Sequence, residues 1–162
     1  MGPVTFGPTA GSEDDRRRET AIFGHILQVV IDRVVPKAAN EPAEEPVITN
    51  GLIDTGASDV CIDYRLAMQL GLKAVNQSTV NVVGGSTLAT IYMGRLKVPE
   101  IGFDRIMPLY ALKVRHPTPE VLLGRSFLQN YIVTFDGPAG MFHFVTPTNY
   151  QPHGAIEDDF PT

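Results

Sequence analysis

Leu52-Ile53-Asp54-Thr55-Gly56-Ala57-Ser58 is the segment that most limits what this chain can become. Two aliphatic residues lead into an aspartate, and a small hydroxylated residue and a glycine follow at once. The apolar approach predicts a buried strand; the glycine ends it and lets other backbone come close. A carboxylate placed there sits at the edge of a core, where its surroundings can tune it. Asp-x-Gly also occurs in ordinary turns, which both residues suit. The segment therefore needs support from the rest of the chain.

That support comes from short β-type runs separated by turn residues. β-branched residues are dense over Ile26–Val35, and Val47–Ile53 is the strand that delivers Asp54. Val60–Ile62 leads away from it. Asp63 is placed to cap a helix over Tyr64–Leu70, and Gly71 to end it. Ser78–Val83 and Thr87–Met93 read as strands around Val83-Gly84-Gly85-Ser86, whose glycines allow a hairpin turn. Further strands are expected at Gly94–Val98 and Arg105–Val114. Pro36–Pro46 reads as a charged loop with Glu41, Glu44 and Glu45 exposed. These signals predict a domain over residues 19–146, a disordered arm over 1–18 and a flexible acidic tail over 147–162.

Composition narrows the function classes. The 162 residues carry a net charge of −5, and the basic triplet Arg16-Arg17-Arg18 lies among acids, so a nucleic-acid partner is not expected. Ala21–Val35 is interrupted by His25, Gln28, Asp32 and Arg33, which argues against a membrane span. The first twenty residues lack the apolar run of a secretory signal, and Phe6 breaks a myristoylation pattern. Cys61 is the single cysteine, so no internal disulfide can form; a reducing, cytoplasmic setting is expected. Flanked by Val60 and Ile62, it reads as a small buried apolar residue. His25, His116, His143 and His153 show no metal-ligand spacing, and no metal or organic cofactor is expected.

Asp54-Thr55-Gly56 resembles the catalytic loop of aspartic peptidases. Glu120-Val121-Leu122-Leu123-Gly124-Arg125-Ser126-Phe127-Leu128 resembles a second element of the retroviral-type enzymes: aliphatic pair, Gly, Arg, short helix. The strand signals Asn130–Gly137 and Gly140–Val145 follow in the same order. Together, over about His25–Thr146, the chain resembles the retropepsin-like family, including its single-domain bacterial members. The resemblance implies an all-β closed barrel with one or two short helices, and an aspartic endopeptidase acting on a peptide or protein substrate.

Peptide hydrolysis by water requires a base and an acid, and two adjacent carboxylates sharing one proton supply both. Only one Asp-Thr-Gly is present, and no internal repeat. The resemblance therefore implies a homodimer whose axis passes between two Asp54 side chains. It further implies that Thr55 bonds across the axis, that Gly56 offers its carbonyl, and that Val83, Gly84 and Gly85 form a flap. Ala57 stands where pepsin-like enzymes often carry a hydroxyl, which implies a mildly acidic optimum. Ser58 replaces the usual aspartate partner of the arginine matched by Arg125, next to Gly124. Arg125 must then find Asp59, Asp63 or backbone carbonyls, and the dimer is expected to be weak. The alternative is a catalytically weak or inactive protein-binding and dimerisation module of the same fold.

Overall fold

A computed structural model describes residues 2–9, 11–34, 45–113 and 120–147. His116, His153, residues 35–44 (most of the segment expected to be a loop) and residues 148–162 (expected to be a tail) lie outside these residues. Two sheets form the domain. The larger contains β2 (Ile26–Asp32), β3 (Val47–Ile53), β4 (Cys61–Asp63), β5 (Lys73–Val82), β6 (Gly85–Val98), β7 (Phe103–Leu112) and β8 (Val121–Leu123). Its strand order is β2-β3-β8-β4-β7-β6-β5, and β6 also pairs with β2, Ile31 opposite Leu96. Six strands thus close into a barrel, and β5 extends outward as a hairpin with the first half of β6. This is the closed all-β barrel that the family resemblance implied.

The barrel interior is filled by alternate residues of the strands. Val29, Ile31, Ile62, Leu96, Val98, Leu109, Val121 and Leu123 are all essentially inaccessible to water. Two of the connections are parallel pairings, β3 with β8 and β4 with β7. β8, paired on both of its edges, is apolar throughout (Val-Leu-Leu), as a strand in the middle of such a sheet requires. The helix α2 (Tyr64–Gln69) begins where Asp63 accepts the Arg65 N–H, and Leu66 and Ala67 pack inward.

Gly94 does not interrupt a strand as the sequence suggested: residues 85–98 are one continuous β6. A Cβ at Gly94 would come within 2.4 Å of Leu109 Cδ1, so the missing side chain makes room for a core leucine.

The segment expected to be a disordered arm is structured. β1 (Val4–Phe6) pairs antiparallel with β10 (Met141–Val145), which pairs with β9 (Ile132–Asp136), giving a three-stranded sheet. Phe6 stacks on Phe142 there, and both meet Phe144 edge to face. Helix α1 (Glu13–Phe23) starts at Ser12, whose hydroxyl accepts the Asp15 N–H, and three acids occupy its first turn. Both features favour a helix N-terminus. Arg16 Nε and Thr20 Oγ1 donate to the carbonyls of Ala139 and Gly140, and Gly140 (φ +66°) leaves the space the helix occupies. The charge that suggests a solvated arm is the polar surface of a helix docked on the β9–β10 turn. A third helix, α3 (Arg125–Leu128), buries Phe127 beneath β8.

Candidate active site

Asp54 is delivered by β3 and held by β8. Its N–H donates to the Leu123 carbonyl (3.1 Å), continuing the parallel pairing one residue past the strand. The carboxylate turns back on its own loop, where Oδ1 accepts the N–H groups of Gly56 (2.9 Å) and Ala57 (3.3 Å). The chain closes the turn with an Ala57 N–H to Asp54 carbonyl bond of 3.2 Å. These bonds fix one carboxylate oxygen and leave the side chain half-buried at the mouth of a cleft.

The segment that follows β8 laces this loop down. The N–H groups of Arg125 and Ser126 donate to the carbonyls of Ala57 and Ser58, each at 2.9 Å. Such close approach requires Gly124: a Cβ there would lie 2.2 Å from the Asp59 carbonyl oxygen. The Arg125 guanidinium completes the clamp, donating to the carbonyls of Thr55 (2.9 Å) and Gly56 (3.2 Å) and to Ser58 Oγ (2.9 Å). Of the acceptors the sequence offered, the backbone carbonyls take it, and the Ser58 hydroxyl, which was not among them, takes it as well. Asp63 is instead bound to Arg65 at 2.8 Å. Among the described residues every acceptor of Arg125 is neutral, with the Ser58 hydroxyl where a carboxylate would give an ion pair.

A cleft of about 640 Å³ opens over Asp54, with Gly56, Ala57, Ser58 and Asp59 on one wall and β5 residues Ser78–Val82 on the other. Val83, at the tip of the β5–β6 hairpin, also lines it and is fully exposed. Gly84 (φ +92°) and Gly85 (φ +148°) form the turn itself and lie outside the lining. The structure thus brings Asp54, Gly56, Ala57 and Val83 to one cavity. Thr55 is exposed on the loop, and the Gly56 carbonyl already accepts one bond from Arg125.

Besides the β5 residues, the lining residues that escaped sequence reasoning include Asp59, Cys61, Tyr110, Leu112 and Leu122. Asp59 lies on the same loop. Cys61, Tyr110 and Leu122 share one floor because Cys61 pairs with both Tyr110 on β7 and Leu122 on β8. That adjacency is a product of topology, and no local pattern carries it. Burial, with Asp59 and Asp54 nearby, pushes the Cys61 thiol up to about 11, so it remains a protonated, apolar-like group. Among the described residues no group of three His, Cys, Asp or Glu side chains is placed to hold a metal ion.

A barrel with an Asp-Thr-Gly loop clamped by a Gly-Arg segment defines the class of the aspartic proteases with one such loop per chain. The family described as "gag-polyprotein putative aspartyl protease" matches residues 46–130, more than half the chain, and the chain belongs to that retropepsin-like family. Its fold is similar to a retropepsin-like aspartic protease from Rickettsia conorii, with a TM-score of 0.52 and 18% identity over 88% of this chain and 89% of that one. The simian foamy virus (mac) protease aligns with a TM-score of 0.43 at 15% identity, over 65% of this chain and 92% of its own. The EIAV protease, in complex with an inhibitor, gives 0.42 at 20% identity, over 64% of this chain and 84% of its own. No curated protein matches the chain by sequence.

Proposed function

We propose that the chain is an aspartic endopeptidase whose active form is a homodimer, each copy supplying one Asp54. The observation that carries this reading is the Asp54 carboxylate itself. It is fixed through one oxygen by two backbone N–H groups and faces a peptide-sized cleft. In the dimer the two carboxylates share one proton, since like charges that close cannot both ionise. The ionised member takes a proton from a water as its oxygen attacks the peptide carbonyl carbon. The protonated member gives its proton to the carbonyl oxygen. The resulting gem-diol collapses as the amide nitrogen is protonated and leaves.

Other parts of the chain have supporting roles. The β5–β6 hairpin acts as the flap, with Val83, Gly84 and Gly85 at its tip closing over the substrate and excluding water. Extended substrate backbone pairs with the flap strands and the catalytic loops. Thr55 meets its copy across the axis, and Gly124 and Arg125 hold the loop in shape. No metal or organic cofactor enters this chemistry. The single cysteine fits a reducing compartment, and we place the enzyme in the cytoplasm.

The test is cleavage of a diverse peptide library by wild type and Asp54→Ala, from mildly acidic to neutral pH at high protein concentration. Cutting by wild type that disappears in the variant supports the reading and gives the subsite preferences. A dimer that cuts nothing overturns it in favour of a protein-binding module. Equal cutting by both proteins removes Asp54 from the chemistry.

A further inference from the structure

A second cavity lies where α1 turns into β2. It measures about 400 Å³, within the range of small-molecule pockets, and shares no lining residue with the cleft over Asp54. Gly24 (φ +79°) ends α1 and redirects the chain, and a Cβ there would come 2.5 Å from Leu52 Cδ1. The loop after β1 (residues 7–9), the start of β2 and Phe142 of β10 complete the walls.

The polar groups of this cavity favour one kind of ligand. Glu19 and Asn50 line it, and neither side chain has a hydrogen-bond or ion-pair partner among the described residues. His25 lines it as well, and its Nε2 is buried without a hydrogen-bond partner. The His25 ring packs against Phe135 and Phe142, with centroids 4.7 and 5.3 Å away. Burial lowers its pKa from the ordinary 6.5, so at neutral pH the ring is uncharged and one of its nitrogens is an acceptor. The end of α1 adds negative potential. Among the described residues only the Thr20 carbonyl of its last turn takes an N–H from beyond the helix, that of Gly24 at 2.8 Å. The last turn carries no basic residue, and neither Lys nor Arg lines the cavity. The negative pole of the helix is thus left without a cation. Phe23, 58% exposed, adds an aromatic wall.

We propose that this cavity binds an organic cation, a guanidinium on a short aliphatic stem. The Glu19 carboxylate accepts paired N–H groups of the guanidinium, His25 Nε2 and the Asn50 carbonyl oxygen accept others, and its flat face rests on Phe23. A neutral ligand leaves Glu19 and the helix end uncompensated, and an anion is repelled by both. A metal ion finds a single carboxylate there, and a compact ammonium has neither fork nor plane to offer. The inference is independent of the peptidase reading, since it needs neither Asp54 nor a second copy. The cavity nevertheless adjoins the catalytic loop, because the His25 carbonyl accepts the Ile53 N–H at 2.9 Å, one residue before Asp54.

The test is an NMR titration of the full-length protein with butylguanidinium and, in parallel, with a short blocked peptide containing a single arginine. The His25 ring signals, identified by their loss in His25→Phe, report on the cavity. Butylguanidinium is expected to shift them saturably, and neutral butylurea, of nearly the same shape, is not. Tighter binding of butylguanidinium names a small free cation as the ligand, and tighter binding of the peptide names an arginine side chain; either result supports the site. Glu19→Gln, at an exposed position, is expected to weaken binding about 5-fold, the upper range for an ion pair in contact with water. Asp59→Asn, in the catalytic cleft, is expected to leave it unchanged. If His25→Phe fails to fold, calorimetric titration of wild type and Glu19→Gln decides.

The proposal is overturned if neither cation shifts the His25 signals, or if butylurea binds as well as butylguanidinium. Equal affinity of wild type and Glu19→Gln overturns it too. Binding that survives Glu19→Gln and is lost in Asp59→Asn moves the cation to the catalytic cleft, which likewise removes the site.

Discussion

Replacing Gly124 by alanine tests how the catalytic loop is held, and the size of the effect follows from the geometry. The backbone conformation is not the obstacle, since φ is −79°. The obstacle is space: the new Cβ would lie 2.2 Å from the Asp59 oxygen and 2.8 Å from the Ala57 oxygen, where ordinary contact begins at 3.4 Å. The clash is with backbone on both sides, so the loop or α3 must retreat by about 1 Å. A shift of that size stretches the two 2.9 Å bonds from Arg125 and Ser126 beyond hydrogen-bonding range. Overpacking costs about 1–3 kcal/mol and each of the two lost bonds about 0.5–1.5, so the loss of stability is about 2–6 kcal/mol.

Activity should suffer further, because an error of about 1 Å in a reacting group can lower the rate about 100-fold. The assay is urea unfolding together with peptide cleavage. Gly137→Ala serves as the control, since nothing lies within 4 Å of the Cβ it would add; it should change stability by less than about 0.5 kcal/mol. A Gly124→Ala protein within about 1 kcal/mol of wild type and cutting normally would refute the reasoning.

Three further outcomes are expected. Ser58→Asp gives Arg125 a charged acceptor in place of the hydroxyl at 2.9 Å; on this exposed loop it should add about 0.2–1 kcal/mol, less at high salt, and unchanged urea midpoints would exclude it. Cys61, raised to about 11 from an ordinary 9.0, holds about 100-fold less thiolate at a given pH, so maleimide labelling of the native protein should be correspondingly slow and become fast in urea. Burial lowers the pKa of His25, so below its ordinary 6.5 the unfolded chain binds more protons than the folded one. Stability contributed by neutral His25 is present above that value and lost as pH falls toward the folded one; the melting temperature of His25→Leu should drop less than wild type between pH 7.5 and 5, and equal drops would count against the effect.

The parts legible in the sequence are those whose cause is local. Val47–Ile53 runs through apolar Leu52 and Ile53 into a glycine-containing loop, and its bounds in the structure are the same. Asp63 announces α2 because an N-cap works within one turn. What escaped was non-local. β1 is three residues long and has a reason to exist only opposite β10. Helix α1 buries none of its residues, so it has no apolar stripe to read; its signal was Ser12 followed by Glu13, Asp14 and Asp15, which also resembles a solvated charge run. In the site, Asp54, Gly124 and Arg125 are legible because particular residue types are required there. Tyr110 and Leu122 reach the cleft floor only because β4 pairs with both β7 and β8.

The clamp on the catalytic loop has a consequence for how such a chain can be made. Arg125 and the Thr55 carbonyl it holds are separated by 70 positions, and Thr5 and His143, hydrogen-bonded across β1 and β10, by 138. Translation produces the aspartate early and the segment that shapes its loop much later. During that interval Asp54 is a carboxylate on an unclosed strand, without the loop that the proposed chemistry requires. On the function proposed above, hydrolytic power arrives only once the segment through β10 has been synthesised and closed onto the barrel, so the fold itself would delay a protease until this part of its own chain is no longer an extended, cleavable substrate.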